Sequence, residues 1–201
     1  MAKITAFPWF GGKSSPVIHE AILAALPPHD KYVEPFGGGG SVLLNRSAVE
    51  VEVYNDVNRG VVNFFRVVAD GDSFARFLAR VQPMPFSREL WEEYNRTWAG
   101  IHDPIEQAVR WYYVARQSFG GQFGNAWGAA TQSSSAGMAS SVRRWLAALE
   151  KLPDLHERMV RVQIECCDWR VWPGPVRRDG LAGVLRSAVC PRRPPVGRVR
   201  A

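Results

Sequence analysis

The stretch Tyr32-Val33-Glu34-Pro35-Phe36-Gly37-Gly38-Gly39-Gly40-Ser41-Val42-Leu43-Leu44 passes from a short extended run through four glycines into an apolar, helix-like segment. Val51-Glu52-Val53-Tyr54 then alternates as a strand does and ends at Asn55-Asp56, after which Val57 to Ala69 takes a helical period. Strand, glycine loop, helix, strand is the opening of a parallel nucleotide-binding sheet, so the expected class is α/β. Upstream, Ser15 can cap a helix that has Pro16 at its first position. Ile18, Ala21, Ile22, Ala25 and Leu26 would form its apolar face, and Pro27-Pro28 would stop it.

Downstream the pattern changes. Residues 72–158 read as largely helical, with one candidate over Ser87 to Trp98. Asp103-Pro104-Ile105-Glu106 combines a capping Asp, Pro at N1 and Glu at N3, and starts a helix to about Arg116. Ser118 to Gly137 is rich in Gly, Ser, Gln and Asn and has no helical period. Ser141 to Leu152 resumes an amphipathic helix that Pro153 is expected to end, and Val160-Arg161-Val162-Gln163-Ile164 alternates again as a return to the sheet. After Trp172, Pro, Gly and Arg dominate and no periodic element survives, which suits a disordered basic tail. The expected division is 1–71, 72–158, a return strand in 159–169, and a tail in 170–201.

The 201 residues suffice for one domain with an insertion, and 46% hydrophobic with 22% charged is ordinary for a folded soluble protein. The net charge of +6 is uneven: eight of the 25 Lys and Arg but one of the 19 acids fall in 170–201. The basic balance therefore belongs to the tail, and is a poor argument that the body binds nucleic acid. No apolar run is long enough to span a membrane, and the start lacks a signal pattern. Three cysteines, Cys166 and Cys167 adjacent, with no C-x-x-C pair, suit a reduced cytoplasmic protein without structural zinc or another metal.

Three segments are candidates for chemistry. Glycines between a strand and a helix let backbone approach a ligand, and the helix start offers free N–H groups. The run Gly37 to Gly40 is neither a G-x-G-x-x-G nor a P-loop, and such a run is also often only a turn. Asp56, about twenty residues on, is placed to accept both ribose hydroxyls of an adenosine-containing cofactor, or to cap the next helix. Trp9-Phe10-Gly11-Gly12-Lys13-Ser14 is a second glycine turn. Its Lys13 suits a carboxylate or phosphate and Trp9 a ring, the bland alternative being a solvated Lys and a core Trp.

In order and spacing, Pro8 to Lys13, Tyr32 to Val42 and Tyr54-Asn55-Asp56-Val57-Asn58 together resemble the DNA adenine-N6 methyltransferases of the DNA adenine methylase type. The resemblance implies a class I S-adenosylmethionine-dependent methyltransferase (Rossmann-like) sheet, incomplete at its C-terminus, with a mainly helical target-recognition insertion. It implies S-adenosylmethionine as methyl donor and double-stranded DNA as partner. Trp9 and Lys13 would flank the donor's methionine end, Glu34, Pro35, Gly37 and Gly39 would belong to its loop, and Asp56 would hold the ribose. Asp168-Trp169 looks like the family's acid-aromatic pair near the adenine. Arg116 to Gly128 resembles the DNA-contacting loop, with Arg116, Gln122 and Asn125 suited to phosphates and base edges. The same segment also reads as a Gly-rich connector with buried aromatics.

The family's catalytic motif, Asp-Pro-Pro-Tyr, occurs nowhere in the 201 residues, so no catalytic residue is assigned. It is expected about twenty residues past the Val160–Cys167 strand, inside the Arg/Pro/Gly tail. Val184 to Cys190 can be encoded by GTA CTG CGA TCC GCC GTA TGT, and the same bases read one nucleotide later encode Tyr-Cys-Asp-Pro-Pro-Tyr. The expectation is an out-of-frame extension after about residue 170, and impaired activity. Two rival readings are a non-catalytic relic that binds cofactor or DNA, and a basic-tailed nucleic-acid module whose glycine loops are only structural.

Overall fold

A computed structural model describes residues 3–13, 15–130 and 132–170. The elements run α1 (Pro16–Ala25), β1 (Lys31–Glu34), α2 (Ser41–Asn45), β2 (Val51–Asn55), α3 (Arg59–Ala69), α4 (Gly71–Val81), α5 (Arg88–Thr97), α6 (Pro104–Gln117), a small hairpin of β3 (Ser134–Ser135) and β4 (Met138–Ala139), α7 (Ser140–Glu150), α8 (Leu152–Met159) and β5 (Gln163–Glu165). The fold is mixed α/β. Its sheet is parallel, in the order β1-β2-β5. The short α2 connects β1 to β2, and the whole helical segment from α3 to α8 lies in the crossover from β2 to β5. Most of the tail, residues 171–201, lies outside the described residues, and with it the shifted-frame expectation.

The register pairs Tyr32 with Glu52 and Glu34 with Tyr54, which puts these four side chains on one face of the sheet. α3 is nearly all apolar on its inner side and packs against α6 and α8. One aromatic core runs through both the sheet and the helical segment. Phe7 meets the Trp111 ring edge-on at 4.8 Å, and Phe64 stacks on Tyr112 at 5.1 Å. Side-chain caps start four of the helices: Asn58, Asp70, Ser87 and Asp103 each accept from amides of the first turn.

Three local expectations need correction. Ser15 makes no side-chain cap, and no residue of α1 is buried. Ile18 is 50% exposed, and only Ile22 and Leu23 of α1, with the following Leu26, reach the core, because α1 meets α2 as its main neighbour. Pro153 does not end a helix but sits in the first turn of α8, where its missing N–H costs nothing. The return strand starts later than its alternation suggests. The Val160 amide donates to His156 O and the Val162 amide to Met159 O, both at 3.0 Å, so Val160 and Arg161 close the helix end and Val160 stays exposed.

Candidate cofactor and DNA site

The C-terminal ends of β1, β2 and β5 converge on the glycine loop. Four hydrogen bonds brace it. The Gly37 amide donates to Asn55 O (2.9 Å), the Gly40 amide to Gly37 O (2.8 Å), the Gly38 amide to Asp56 Oδ2 (2.8 Å), and the Tyr54 hydroxyl to Gly38 O (2.7 Å). Asn55 adds its side-chain amide to the carbonyl of the buried Pro35 at 3.0 Å. Glycine is required at two of these positions. A Cβ on Gly37 would lie 2.0 Å from the Tyr54 ring; Gly38 has φ +48, and its Cβ would lie 2.6 Å from Trp9 Nε1. The Trp9 ring therefore lies directly on the loop, with Phe7 edge-on beside it at 5.7 Å.

Asp56 does not cap α3; Asn58 does. Asp56 instead ties the loop to the end of β2, its second oxygen accepting from the Asn58 amide at 2.8 Å. An ionised carboxylate offers about four acceptor positions, so two remain for hydroxyl groups. Glu34 is 2% exposed and accepts from the Leu43 amide at 3.1 Å. Burial pushes its carboxyl up to about 7, against the pull of the Lys13 ammonium, the Leu43 amide and Arg46. Lys13 is half-buried and makes no hydrogen bond or ion pair among the described residues. Its charge is close enough to favour the ionised form of Glu34.

Beyond β5, the Cys167 amide donates to Asn55 Oδ1 at 3.0 Å, which carries Trp169 to Phe36 with ring centres 6.0 Å apart. Both rings are partly exposed. Asp168 turns instead to its own neighbour, accepting from the Arg170 amide at 2.9 Å and pairing with its guanidinium at 3.0 Å. Phe36, Tyr54 and Asn55 lie inside the quoted motifs, but the sequence assigned them no role in the site. Asn55, the polar residue that ends the β2 alternation, is buried in the structure.

The loop from Ser118 to Gly128 is closed by the Phe119 amide on Ala126 O and the Gly128 amide on Gln117 O, both at 2.7 Å. Part of it is a connector with buried aromatics. Phe123 stacks on Trp111 at 5.2 Å, and Trp127 packs on Phe86 under the Arg88 guanidinium. Phe119, Gln122 and Asn125 face outward, Asn125 donating to Gln122 Oε1 at 2.9 Å. Arg116 does not join them: it donates to Arg144 O at 3.2 Å and braces α7. A Cβ on Gly121 would lie 3.0 Å from Pro8, so this loop rests on the Pro8–Trp9 turn and hence beside the glycine loop. Among the described residues no helix is long and apolar enough to cross a membrane, and no group of three or more His, Cys, Asp or Glu could hold a metal ion.

Residues 9–168 match the family model of D12 class N6 adenine-specific DNA methyltransferases. This chain belongs to that family. It is 39% identical over 120 residues to a DNA N-6-adenine-methyltransferase of Escherichia phage P1, a match covering 57% of this chain and 15% of that protein. It is 31% identical over 128 residues to a DNA adenine methylase of Serratia marcescens, covering 60% of this chain and 45% of the relative. The chain thus spans less than half the length of either of these curated relatives.

Proposed function

We propose that this chain is the cofactor-binding and target-recognition part of an adenine-N6 DNA methyltransferase. In this reading β1-β2-β5 is one side of a class I S-adenosylmethionine-dependent methyltransferase sheet, and the helical segment is its target-recognition insertion. The observation that carries the reading is the braced glycine loop, with Trp9 on it and Asp56 bound to it. The residues suit S-adenosylmethionine. Its carboxylate can meet Lys13, its ribose the remaining acceptor positions of Asp56, and its adenine the exposed rings of Phe36 and Trp169. When bound, the group supplies an electrophilic methyl. This chain's residues hold and orient it. On the partner side, Phe119, Gln122 and Asn125 offer a stacking face and polar groups to double-stranded DNA.

Calorimetry with S-adenosylmethionine tests the site. Asp56→Ala and Lys13→Ala are each expected to weaken binding by about 1–3 kcal/mol, as for a hydrogen bond to a charged group. Unchanged affinity in both folded variants overturns the assignment. A second reading, binding without transfer, is favoured by one observation: the sequence contains no Asp-Pro-Pro-Tyr.

A further inference from the structure

Arg158 belongs to α8, the last helix of the helical segment, yet its guanidinium reaches the sheet. It forks onto Glu52 of β2, Nη1 to Oε2 at 2.6 Å and Nη2 to Oε1 at 2.7 Å. The same Nη2 donates to Leu43 O in α2 at 2.7 Å. Leu43 is held from the other side as well, its amide donating to Glu34 Oε2 at 3.1 Å. One residue of α2 is therefore gripped at its N–H by the acid that precedes the glycine loop, and at its carbonyl by an arginine from the helical segment. Arg46 completes the group, pairing with Glu52 at 2.9 Å and lying on the Tyr32 ring at 4.2 Å. The Glu52 side chain is 0% exposed and that of Arg158 11%.

Stability alone is a poor account of this arrangement. Desolvating buried charges offsets much of their attraction, and apolar side chains of similar volume often serve as well. What a planar fork adds is geometry, because its donors point in fixed directions. α2 spans only Ser41–Asn45, too short to hold its own shape, and its last carbonyls lack partners within the helix. The loop is braced by β2 and Asp56 on one side and runs directly into α2 on the other.

We infer that Arg158 is a positioning residue for the cofactor site: through Leu43 it fixes α2, and with it Gly37 to Gly40, relative to the helical segment. The inference rests on the proposed cofactor site. Its consequence is coupling. A displacement of α8, as when DNA engages the helical segment, alters the loop, and cofactor binding biases the helical segment by the same factor.

Two variants test it. Arg158→Lys keeps a charge beside Glu52 but loses the two-nitrogen fork that holds the carboxylate and the Leu43 carbonyl in fixed directions. Arg158→Met removes the fork and leaves Glu52 its ion pair with Arg46, so no buried charge is stranded. Each is expected to stay folded by circular dichroism and to bind S-adenosylmethionine roughly 2- to 30-fold more weakly. Amide hydrogen exchange is expected to quicken at Leu43 and Gly40 while α4 and α5 keep their protection. A purely structural role would lower the melting temperature and leave that local pattern unchanged. Cofactor affinity within about twofold of the parent in both folded variants overturns the inference, as does protection lost evenly from α3 to α8. If the parent chain binds no S-adenosylmethionine, the proposed function fails, and exchange at Leu43 still decides whether Arg158 positions the loop.

Discussion

Glu34 carries a carboxyl that the sheet buries beneath the glycine loop, and burial raises it from an ordinary value near 4.5 to about 7. Between those values the unfolded chain gives up the proton while the folded chain keeps it, so stability falls as pH rises across that window and is level on either side. Glu34→Gln removes this slope. Urea unfolding across the pH range is expected to show the variant gaining on the parent by about 3 kcal/mol between pH 4.5 and 7. Parallel profiles would show that the carboxyl is not held at a raised value. The sequence marks Glu34 by its place before the glycines, and Asp56 by its distance beyond them. Neither its neighbours nor its burial could be read there. That Asp56 binds a loop amide follows from how closely β1 and β2 lie, and that Asn58 takes the cap follows from where α3 begins.

Elements were legible where the signal is local. Asp103 and Ser87 cap the helices that their positions announce, because a cap needs only the first turn to form. Pro153 and Val160 misled because their cues suit two structures. A proline stops one helix or starts the next, and the alternation of Val160 and Val162 fits a strand as well as a helix end. Tertiary packing chose between them, and Gly60 shows how tight that packing is. It lies in the first turn of α3, where a Cβ would come within 2.6 Å of the Trp111 ring and 2.9 Å of Trp98. Trp111 is boxed in by Phe7, Trp9 and Phe123 and cannot yield. Gly60→Ala gains up to about 1 kcal/mol of helix propensity but loses roughly 1–3 to overpacking. Denaturant titration is expected to give a net loss of about 1–2 kcal/mol; a more stable variant would contradict this packing.

Across the whole molecule, the candidate site was legible because three separated motifs meet in it: the parallel β1-β2 pair aligns two of them, and Trp9 of the third lies on Gly38. The outer loop was less legible. A Gly-rich run has no period, and whether Phe119 or Phe123 turns inward depends on Trp111, which lies in another element. The same assembly limits the chemistry. Adenine N6 is a poor nucleophile, since its lone pair is delocalised into the ring. Attack on a methyl donor needs an acceptor for the amino hydrogens and a surface that holds the base out of the duplex. Among the described residues, three acids near the loop are engaged elsewhere. Glu34 is buried against the Leu43 amide, Asp56 holds two amides, and Asp168 is paired with Arg170. The sequence has no Asp-Pro-Pro-Tyr to supply another, although that motif is what the family resemblance implies. The expected outcome is a chain that binds cofactor and DNA but transfers methyl groups roughly 100-fold or more below a DNA adenine methylase, the scale on which a positioned proton acceptor contributes. Incorporation of labelled methyl into DNA, with chain purified free of host methylases, measures this. Robust transfer by the 201-residue chain would mean that one of these engaged acids, or a residue of the basic tail, is the acceptor.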